Sequence, residues 1–292
     1  LQTQNLSGHI LVSWEYAYEK PVIERFLLYR VNESGLDTLY TGLATTFEDS
    51  DVDWDSTYSY YVTGIINEKE TPHPEISDLP EVVRRIVVGE NGDYTSIGDA
   101  INSLNDGDVA YITSGTYNEI IDFSGKKLEL KCSGEVGSCI IDGEGSGPVI
   151  TFSGNEDTTT VLDGFTIQNG SSGDEFDGGG MTIKSNPLIK NCTFHNNTAD
   201  RGGAVFIRQG AAPIFTECNF TNNSSTSSES EHGGGAIYSY ERSDPVFNNC
   251  NFIYNIATGN GGASYSGQDA KPAYNSCTFS GNNAQEHGGA IY

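Results

Sequence analysis

Short runs of alternating apolar and polar residues follow one another along the chain, and Gly, Asn or Pro separates nearly every pair of runs. Runs of this length and period are typical of β-strands bounded by turns. Examples are residues 11–14, 25–31 and 58–63, and seven short strands are predicted over the first 80 residues. The pattern therefore favours an all-β chain.

Residues 95–104 have a helical period instead. Behind a Thr/Ser start, the apolar residues of this segment recur three or four positions apart; they are Ile97, Ala100, Ile101 and Leu104. This spacing predicts a short amphipathic helix with one buried face.

The last 115 residues carry one motif four times, with spacings of 26, 32 and 27 residues between its cysteines. Each copy has a Gly-Gly pair, a proline and then Cys-x-Phe-x-x-Asn. A unit of this size cannot bury its apolar face alone and must stack on its neighbours, so the period predicts a coiled solenoid. The serine-rich stretch 224–230 explains the 32-residue unit as an inserted loop.

Stacking places equivalent residues of successive coils about 4.8 Å apart. The phenylalanines are therefore expected to form an aromatic core stack, and the asparagines a hydrogen-bonded ladder at a bend with left-handed backbone angles. The members of the stack are Phe194, Phe220, Phe252 and Phe279, and those of the ladder are Asn197, Asn223, Asn255 and Asn282.

The six cysteines form two sets. Cys132 and Cys139 flank a short Gly/Ser stretch and are candidates for a disulfide that closes a small loop. The other four hold one repeat position; they are Cys192, Cys218, Cys250 and Cys277. Either a ladder of free thiols that fills the core or disulfides between adjacent rungs satisfies this arrangement. No metal site is predicted from them, because ligands along a line do not converge on one point.

A net charge of −25 argues against nucleic acid or an anionic membrane as a partner, and no apolar run reaches the length of a membrane span. Asn-x-Ser/Thr triplets indicate either glycosylation or the chance product of an Asn- and Thr-rich composition. They begin at Asn5, Asn32, Asn191, Asn196, Asn219, Asn222 and Asn223. Together with the acidity and the few lysines, they favour an extracellular or cell-surface protein.

The strand pattern of residues 1–80, with Trp14 on an early strand and Tyr58 at the start of a late one, resembles a fibronectin type III domain. In that family these positions hold the core tryptophan and the corner tyrosine. The resemblance implies a β-sandwich.

Residues 88–101, the Gly-x-Tyr-x-Glu element at 115–119 and residues 162–167 resemble right-handed parallel β-helix proteins of the pectin-lyase-like fold. In that family a short helix caps the first coil, which is the role implied for residues 95–104. The strict repeats, from about residue 178, resemble those of bacterial polymorphic outer membrane proteins, which are surface adhesins. The expected fold is a fibronectin-type β-sandwich over 1–80 and a right-handed parallel β-helix over 81–292.

Many β-helix proteins cut acidic polysaccharides, but the catalytic motifs of polygalacturonase-like, pectate-lyase-like and pectin-methylesterase-like enzymes do not occur in this sequence. The loop carboxylates of Asp174, Glu175 and Asp177 are interpreted as solvated rather than as a glycosidase pair. A run of alternating aspartates lacks the Gly and Glu of an EF-hand calcium loop; it comprises Asp49, Asp51, Asp53 and Asp55. No catalytic residue, metal ligand or cofactor is predicted.

Two further sets of side chains have competing interpretations. His195, His232 and His287 are expected to be solvated turn histidines rather than metal ligands or a general base. A second aromatic column is expected to face the core, because it lies two residues after an inward small residue; an outward column would be a platform for sugar stacking. Its members are Phe206, Tyr238, Tyr265 and Tyr292.

Together these features predict a non-enzymatic structural or adhesive surface protein. The alternative is a carbohydrate-active or carbohydrate-binding β-helix protein that acts on polysaccharide. The expected partners are polysaccharide, a host or cell surface, further repeats of a longer chain, or copies of this chain. The last Gly-Gly start, at Gly288, has no coil after it, and an open coil end that presents unpaired strand groups predicts self-assembly into a filament.

Overall fold

The computed structural model describes residues 1–6, 9–15, 23–32, 35–52, 58–72, 85–173, 178–227, 229 and 232–292, and only the backbone of residues 2–6 and 9. The chain divides into two compact units, Leu1–Arg85 and Ile86–Tyr292. The domain boundary expected at residue 80 lies outside the described residues.

The first unit consists of two antiparallel sheets that share one core. A three-stranded sheet has the order β1-β2-β5, and a four-stranded sheet has the order β4-β3-β6-β7. Ile10 and Val12 of the first sheet pack with Phe26 and Leu28 of the second, which gives the two layers of a sandwich. The strands are β1 (Gln2–Leu6), β2 (His9–Ser13), β3 (Arg25–Asn32), β4 (Gly35–Gly42), β5 (Thr46–Asp49), β6 (Ser59–Ile66) and β7 (Lys69–Glu70).

A buried ion pair lies in this unit. The Arg30 guanidinium donates to both carboxylate oxygens of Asp49, at 3.1 and 3.2 Å, and the Tyr60 hydroxyl donates to the same carboxylate at 2.7 Å. Burial, followed by the hydrogen bond to Asp49, raises the pKa of Tyr60 well above its ordinary value. Asp49 therefore neutralises an arginine, which does not fit a calcium loop, and the aspartates at 53 and 55 lie outside the described residues.

The second unit is a parallel β-helix, which confirms the predicted all-β fold with a single short helix among its described residues. Three long sheets, here called faces 1, 2 and 3, run the length of the coil, and a ladder of two-residue strands, the short ladder, separates faces 2 and 3. Strands of one sheet pair in parallel with the equivalent strands of the next coil.

The strands are grouped by sheet. Face 1 has β8 (Arg85–Val88), β9 (Val109–Ile112), β12 (Glu129–Cys132), β15 (Val161–Asp163), β19 (Leu188–Lys190), β23 (Ile214–Thr216), β27 (Val246–Asn248) and β31 (Ala273–Asn275). Face 2 has β10 (Gly115–Tyr117), β13 (Cys139–Asp142), β16 (Phe165–Gln168), β20 (Thr193–His195), β24 (Asn219–Thr221), β28 (Asn251–Ile253) and β32 (Thr278–Ser280). The short ladder has β17 (Ser171–Ser172), β21 (Thr198–Ala199), β25 (Ser224–Ser225), β29 (Ile256–Ala257) and β33 (Asn283–Ala284). Face 3 has β11 (Ile121–Asp122), β14 (Ile150–Phe152), β18 (Met181–Ile183), β22 (Val205–Ile207), β26 (Ile237–Ser239) and β30 (Ser264–Ser266).

The helix α1 (Ile97–Ser103) packs against the first coil through Ile97, Ala100 and Ile101. Two side chains of that coil form hydrogen bonds with the backbone at the two ends of α1. Glu119 accepts hydrogen bonds from the backbone N–H groups of Ile97 and Gly98, and Lys126 donates to three carbonyl groups at the last turn. These contacts satisfy backbone groups that a helix leaves unpaired at its termini.

Inside the coil, the predicted aromatic stack continues through four rungs. Phe194, Phe220, Phe252 and Phe279 lie with ring centroids 4.7–4.9 Å apart and ring planes within 7° of parallel. A second stack, not foreseen from the sequence, runs along face 1 and meets the first edge to face; its members are Phe215, Phe247 and Tyr274. The two stacks fill the core between faces 1 and 2.

The asparagine ladder forms, but its members do not have the left-handed backbone that was expected. Asn197, Asn223 and Asn255 each donate their side-chain N–H to the amide oxygen of the next rung at 3.0 Å. The left-handed residue is the one before each ladder position; these residues are Asn196, Asn222, Tyr254 and Gly281, with φ between 55° and 63°. Two adjacent residues thus share the work in each coil. The first has the left-handed backbone that makes the bend, and the second points its side chain inward into the ladder.

Candidate functional site

The cysteines that are candidates for chemistry are in structural positions. Cys192, Cys218 and Cys250 are fully buried free thiols at the bend between faces 1 and 2, and Cys277 is partly buried. Burial raises the pKa of the Cys192 thiol to about 12, so this side chain stays protonated at neutral pH, whereas the thiolate is the nucleophile. Cys132 and Cys139 are joined by a disulfide, with Cα atoms 5.7 Å apart.

The Gly-x-Tyr-x-Glu element at 115–119 also makes structural hydrogen bonds. The Tyr117 hydroxyl donates to the carbonyl oxygen of Thr113 at 2.9 Å. The Glu119 carboxylate accepts a hydrogen bond from the Ser96 hydroxyl at 2.9 Å, in addition to those from the two backbone N–H groups of α1. Its carboxylate therefore binds the first turn of the capping helix.

The histidines differ from one another in their surroundings. His195 lies on β20, half-buried, with Nδ1 3.0 Å from the Thr221 hydroxyl oxygen, and His287 is exposed. His232 is only 8% exposed. The expectation of solvated turn histidines is therefore wrong for His232, whose site is outside the main core.

The second aromatic column points outward, contrary to the expectation that it faces the core. Val205 and Ile207 belong to the main core, so Phe206 between them projects from the other side of face 3. Ala204 and Val205 both face the core at the corner of the coil. The alternation of inward and outward side chains therefore begins again at Val205, which turns Phe206 outward. Even so, Phe206 and Tyr238 are no more than 1% exposed.

This outer column forms a small core of its own. Ring centroids are 5.2 Å apart for Phe206 and Tyr238, and 5.0 Å apart for Tyr238 and Tyr265, which stack with planes 3° apart. Tyr240 packs beside it at 5.6 Å from Tyr238. The three rings of Phe206, Tyr238 and Tyr265 are covered and therefore form no open platform for sugar stacking. Tyr292, which stacks on Tyr265 with ring centroids 5.5 Å apart, is 50% exposed.

Arg201 and His232 lie over the outer column. The guanidinium carbon of Arg201 is 5.6 Å from the centroid of the Tyr238 ring, a cation–π geometry. Arg201 Nη2 contacts His232 Nε2, and His232 Nδ1 is 2.7 Å from the Ser227 hydroxyl oxygen. Glu229 Oε2 lies 3.3 Å from Nε2 and supplies a negative charge beside the arginine.

Three of these side chains, Ser227, Glu229 and His232, come from the insertion that distinguishes the 32-residue unit. After the short ladder, the connection to the Gly-Gly corner has two residues before Gly202 and three before Gly261, but eight, 226–233, before Gly234. The connection before Gly179 is also long, with six residues that include the acidic loop 174–177, which lies outside the described residues. The long connections therefore leave the same edge of the coil. The inserted length was the sequence signal for this site, but its anchoring to Arg201 and Tyr238 was not visible there.

The glycosylation candidates occupy unequal positions. Asn196 and Asn222 are exposed, and Asn32, Asn191 and Asn219 are half-buried. Asn223 is 1% exposed, and its side-chain nitrogen donates to Phe194 O and Asn255 Oδ1 inside the ladder. The fold leaves no room for a sugar on Asn223, so that candidate is wrong. The side chain of Asn5 is outside the described set.

The described residues hold neither a cluster of metal ligands nor a membrane-spanning helix. They contain no group of three or more His, Cys, Asp or Glu side chains arranged to hold a metal ion. They also contain no helix of the length and apolarity needed to cross a membrane.

Solved structures of polysaccharide-acting enzymes resemble this chain at low similarity. A pectin methylesterase in complex with a hexasaccharide is 15% identical, with 68% of this chain and 67% of that chain covered and a TM-score of 0.45. The pectate lyase PelI from Erwinia chrysanthemi is 15% identical, with 99% and 89% covered and a TM-score of 0.22. At these identities and TM-scores, neither structure supports an argument about this chain.

No curated protein matches the sequence. The family model described as the right-handed beta helix region matches residues 128–292, which is more than half of the chain. The chain therefore belongs to the right-handed β-helix family.

Proposed function

We propose that this chain is a non-enzymatic extracellular adhesive protein, in which the β-helix is a rigid scaffold that presents loops along one edge. The observation that carries the proposal is the anchored insertion at 226–233. His232 and Ser227 fix this loop to Arg201, and Arg201 packs on Tyr238 of the coil. Insertions in solenoid repeats collect on one face, which is often the binding face, and a loop held by a rigid scaffold is suited to recognition.

Two further features support this proposal. The thiol ladder, Glu119 and the asparagine ladder all have structural partners, so these groups serve the fold rather than a reaction. The disulfide between Cys132 and Cys139 is of a kind that persists in oxidising compartments and is rare in the cytosol. It favours an extracellular or cell-surface location.

The test is a binding assay with a loop exchange. Fluorescently labelled chain is incubated with intact epithelial cells and with bacterial cells, and bound fluorescence is measured by flow cytometry. In the variant, residues 226–233 are replaced by residues 258–260, which make the equivalent connection in the following coil. We expect the variant to lose most of its cell binding while circular dichroism and the melting temperature stay close to those of the parent chain.

A matched control separates the loop from its anchor. His232→Ala keeps the loop sequence but removes the contacts with Arg201 and Ser227, so binding should weaken several-fold through loss of preorganisation. If the parent chain binds none of these cells, or if the loop exchange leaves binding unchanged, the proposed function is wrong as stated.

The alternative, a carbohydrate-active protein, is supported at the level of binding by a separate exposed surface, which is described in the next subsection. Incubation with polysaccharides, followed by assays for reducing ends, unsaturated products and methanol, tests for the corresponding enzymes. The fibronectin type assignment of the first unit and self-association of the coil end stay predictions, and light scattering at high concentration tests the latter.

A further inference from the structure

The outward side of face 2 is uncharged over five successive coils. Together with the bend and the short ladder that follow, it forms a surface called here the uncharged strip, made of residues 166–171, 193–198, 219–224, 251–256 and 278–283. These 30 residues contain no Asp, Glu, Lys or Arg, in a chain with a net charge of −25. At about 4.8 Å per rung, the strip is about 19 Å long.

Amides and hydroxyls cover most of the strip. Thr193, Asn219 and Asn251 stand at equivalent outward positions of β20, β24 and β28, and the Asn251 side chain donates to the Asn219 amide oxygen at 2.9 Å. Each asparagine presents both donor and acceptor groups, and each threonine a hydroxyl that does both. A neutral ligand that is rich in hydroxyl groups matches such a surface.

Tyr254 breaks the polar pattern at the centre of the strip. Its side chain is 60% exposed, and its backbone is left-handed, with φ of 56°. Asn196 and Asn222 hold this bend in the two preceding coils, and Gly281 holds it in the next. Asparagine and glycine tolerate a left-handed backbone, whereas a bulky aromatic residue is disfavoured there. A strained, exposed tyrosine where its neighbours have suitable residues points to function rather than to folding.

The tyrosine ring is held in place by glycine and bordered by aliphatic side chains. A Cβ at Gly281 would collide with Cδ1 and Cε1 of Tyr254, so the ring lies over the bare backbone of the next coil. Ile256 is 47% exposed and Ile253 half-buried, and both occupy outward positions that are polar in the neighbouring coils. The result is one apolar platform, set among amides and hydroxyls.

We propose that the uncharged strip binds a neutral oligosaccharide, with one sugar ring stacked on Tyr254 and its neighbours hydrogen-bonded to the Asn and Thr side chains of adjacent rungs. This inference goes beyond the adhesive role proposed for loop 226–233, because it concerns a separate surface, and it supports the carbohydrate-binding alternative. Tyrosine offers a large, rigid contact area for stacking, and the surrounding donors and acceptors fix orientation. The strip offers no cation to an acidic polysaccharide, and it lacks the charged partners that steer protein association.

Protein made without N-glycosylation is required for the test, because Asn196 and Asn222 of the strip are also glycosylation candidates. The probes are immobilised cellohexaose, laminarihexaose, mannohexaose and oligogalacturonate, followed by titration calorimetry with whichever binds. The key variant is Tyr254→Asn, which installs the residue of the two preceding coils and should therefore fold. Tyr111→Asn, at a half-buried tyrosine on the outward side of face 1, is the matched control.

We expect at least one neutral hexasaccharide to bind, Tyr254→Asn to weaken it at least tenfold, and Tyr111→Asn to leave it unchanged. The melting temperature of Tyr254→Asn should equal or exceed that of the parent chain, because asparagine suits the left-handed bend. Binding of oligogalacturonate alone, equal binding by Tyr254→Asn, or no binding at millimolar sugar overturns the inference. If cell binding through loop 226–233 persists in any of those cases, the proposed function stands while the ligand assignment fails.

Discussion

The N-terminal unit and the asparagine ladder of the β-helix bury their polar groups in opposite ways. Among the described residues of the first unit, the Arg30–Asp49 ion pair is buried together with the Tyr60 hydroxyl. In the β-helix the buried polar groups of the ladder are neutral amides, and the same solution recurs at Asn197 and Asn223. Loss of the opposite charge leaves a buried ion uncompensated, whereas an amide ladder distributes its hydrogen bonds over several rungs.

The two units can be compared within the intact chain. Both tryptophans, Trp14 and Trp54, belong to the first unit, and the four free cysteines all belong to the β-helix. Tryptophan fluorescence therefore follows the unfolding of the first unit, and the reactivity of the free thiols follows that of the coil.

The largest effect is expected from Arg30→Met. Removing the guanidinium leaves the Asp49 carboxylate buried, with only the Tyr60 hydroxyl and the Asp51 backbone N–H among its former partners. Breaking a buried pair in this way costs about 3–5 kcal/mol of unfolding free energy. Urea unfolding followed by tryptophan fluorescence should show the loss, with thiol exposure unaffected.

Arg25→Met is the control for this variant, because Arg25 lies exposed on the same strand. It should change the unfolding free energy by no more than about 0.5 kcal/mol. Equal stability of Arg30→Met and Arg25→Met would show that the charged cluster does not hold the first unit together.

The next effect is that of Asn223→Ala in the β-helix. The substitution removes the donor to Phe194 O and the acceptor for the backbone and side-chain N–H groups of Asn197, all of them buried. Unpaired buried groups of this kind predict a loss of about 2–4 kcal/mol, measured as earlier thiol exposure in urea. Asn222→Gly is the matched control, since the exposed neighbour has a left-handed backbone that glycine tolerates. If both substitutions cost the same, the ladder contributes no more than the bend.

The smallest effect concerns pH. The folded pKa of Cys192, about 12, exceeds the ordinary thiol value, so the folded state keeps a proton that the unfolded chain loses above pH ~8.5. The resulting stabilisation is complete below that pH and declines above it, by about 2 kcal/mol between pH 8 and 10 for this one thiol. Cys192→Ala should make the pH dependence of thiol-monitored stability shallower by that amount. An unchanged slope would mean that Cys192 is not shielded from water.

Much of the fold was predictable because every copy of the repeat places the same residue types at the same packing and hydrogen-bonding positions. One period, read four times, predicted a coiled solenoid, the phenylalanine stack and the existence of the asparagine ladder, and a helical period located α1. The parallel β-helix itself was implied by the resemblance to pectin-lyase-like proteins. The left-handed backbone was assigned to Asn197 instead of Asn196, because both residues are asparagines and either type suits such a bend. The outer column was assigned to the core because alternation was carried through the corner at Ala204, where the chain turns and two consecutive residues face inward.

The candidate sites were less predictable, since they depend on neighbours that are distant in sequence. His232 appeared to be a turn residue, and only the fold brings Arg201 and Tyr238 to it from other coils. In the sequence, Tyr254 occupies a variable position of the repeat. Only the structure shows that its backbone is left-handed and that its ring lies against Gly281.

The sequence by itself determined the solenoid, its rungs and the residues that stack within it, because each rung must satisfy the same local geometry and bury the same apolar side. Only the tertiary structure decided which side chains outside the coil are covered and which face water. That outcome depends on where inserted loops fold back and which columns they cover, and those contacts join residues that no local period relates.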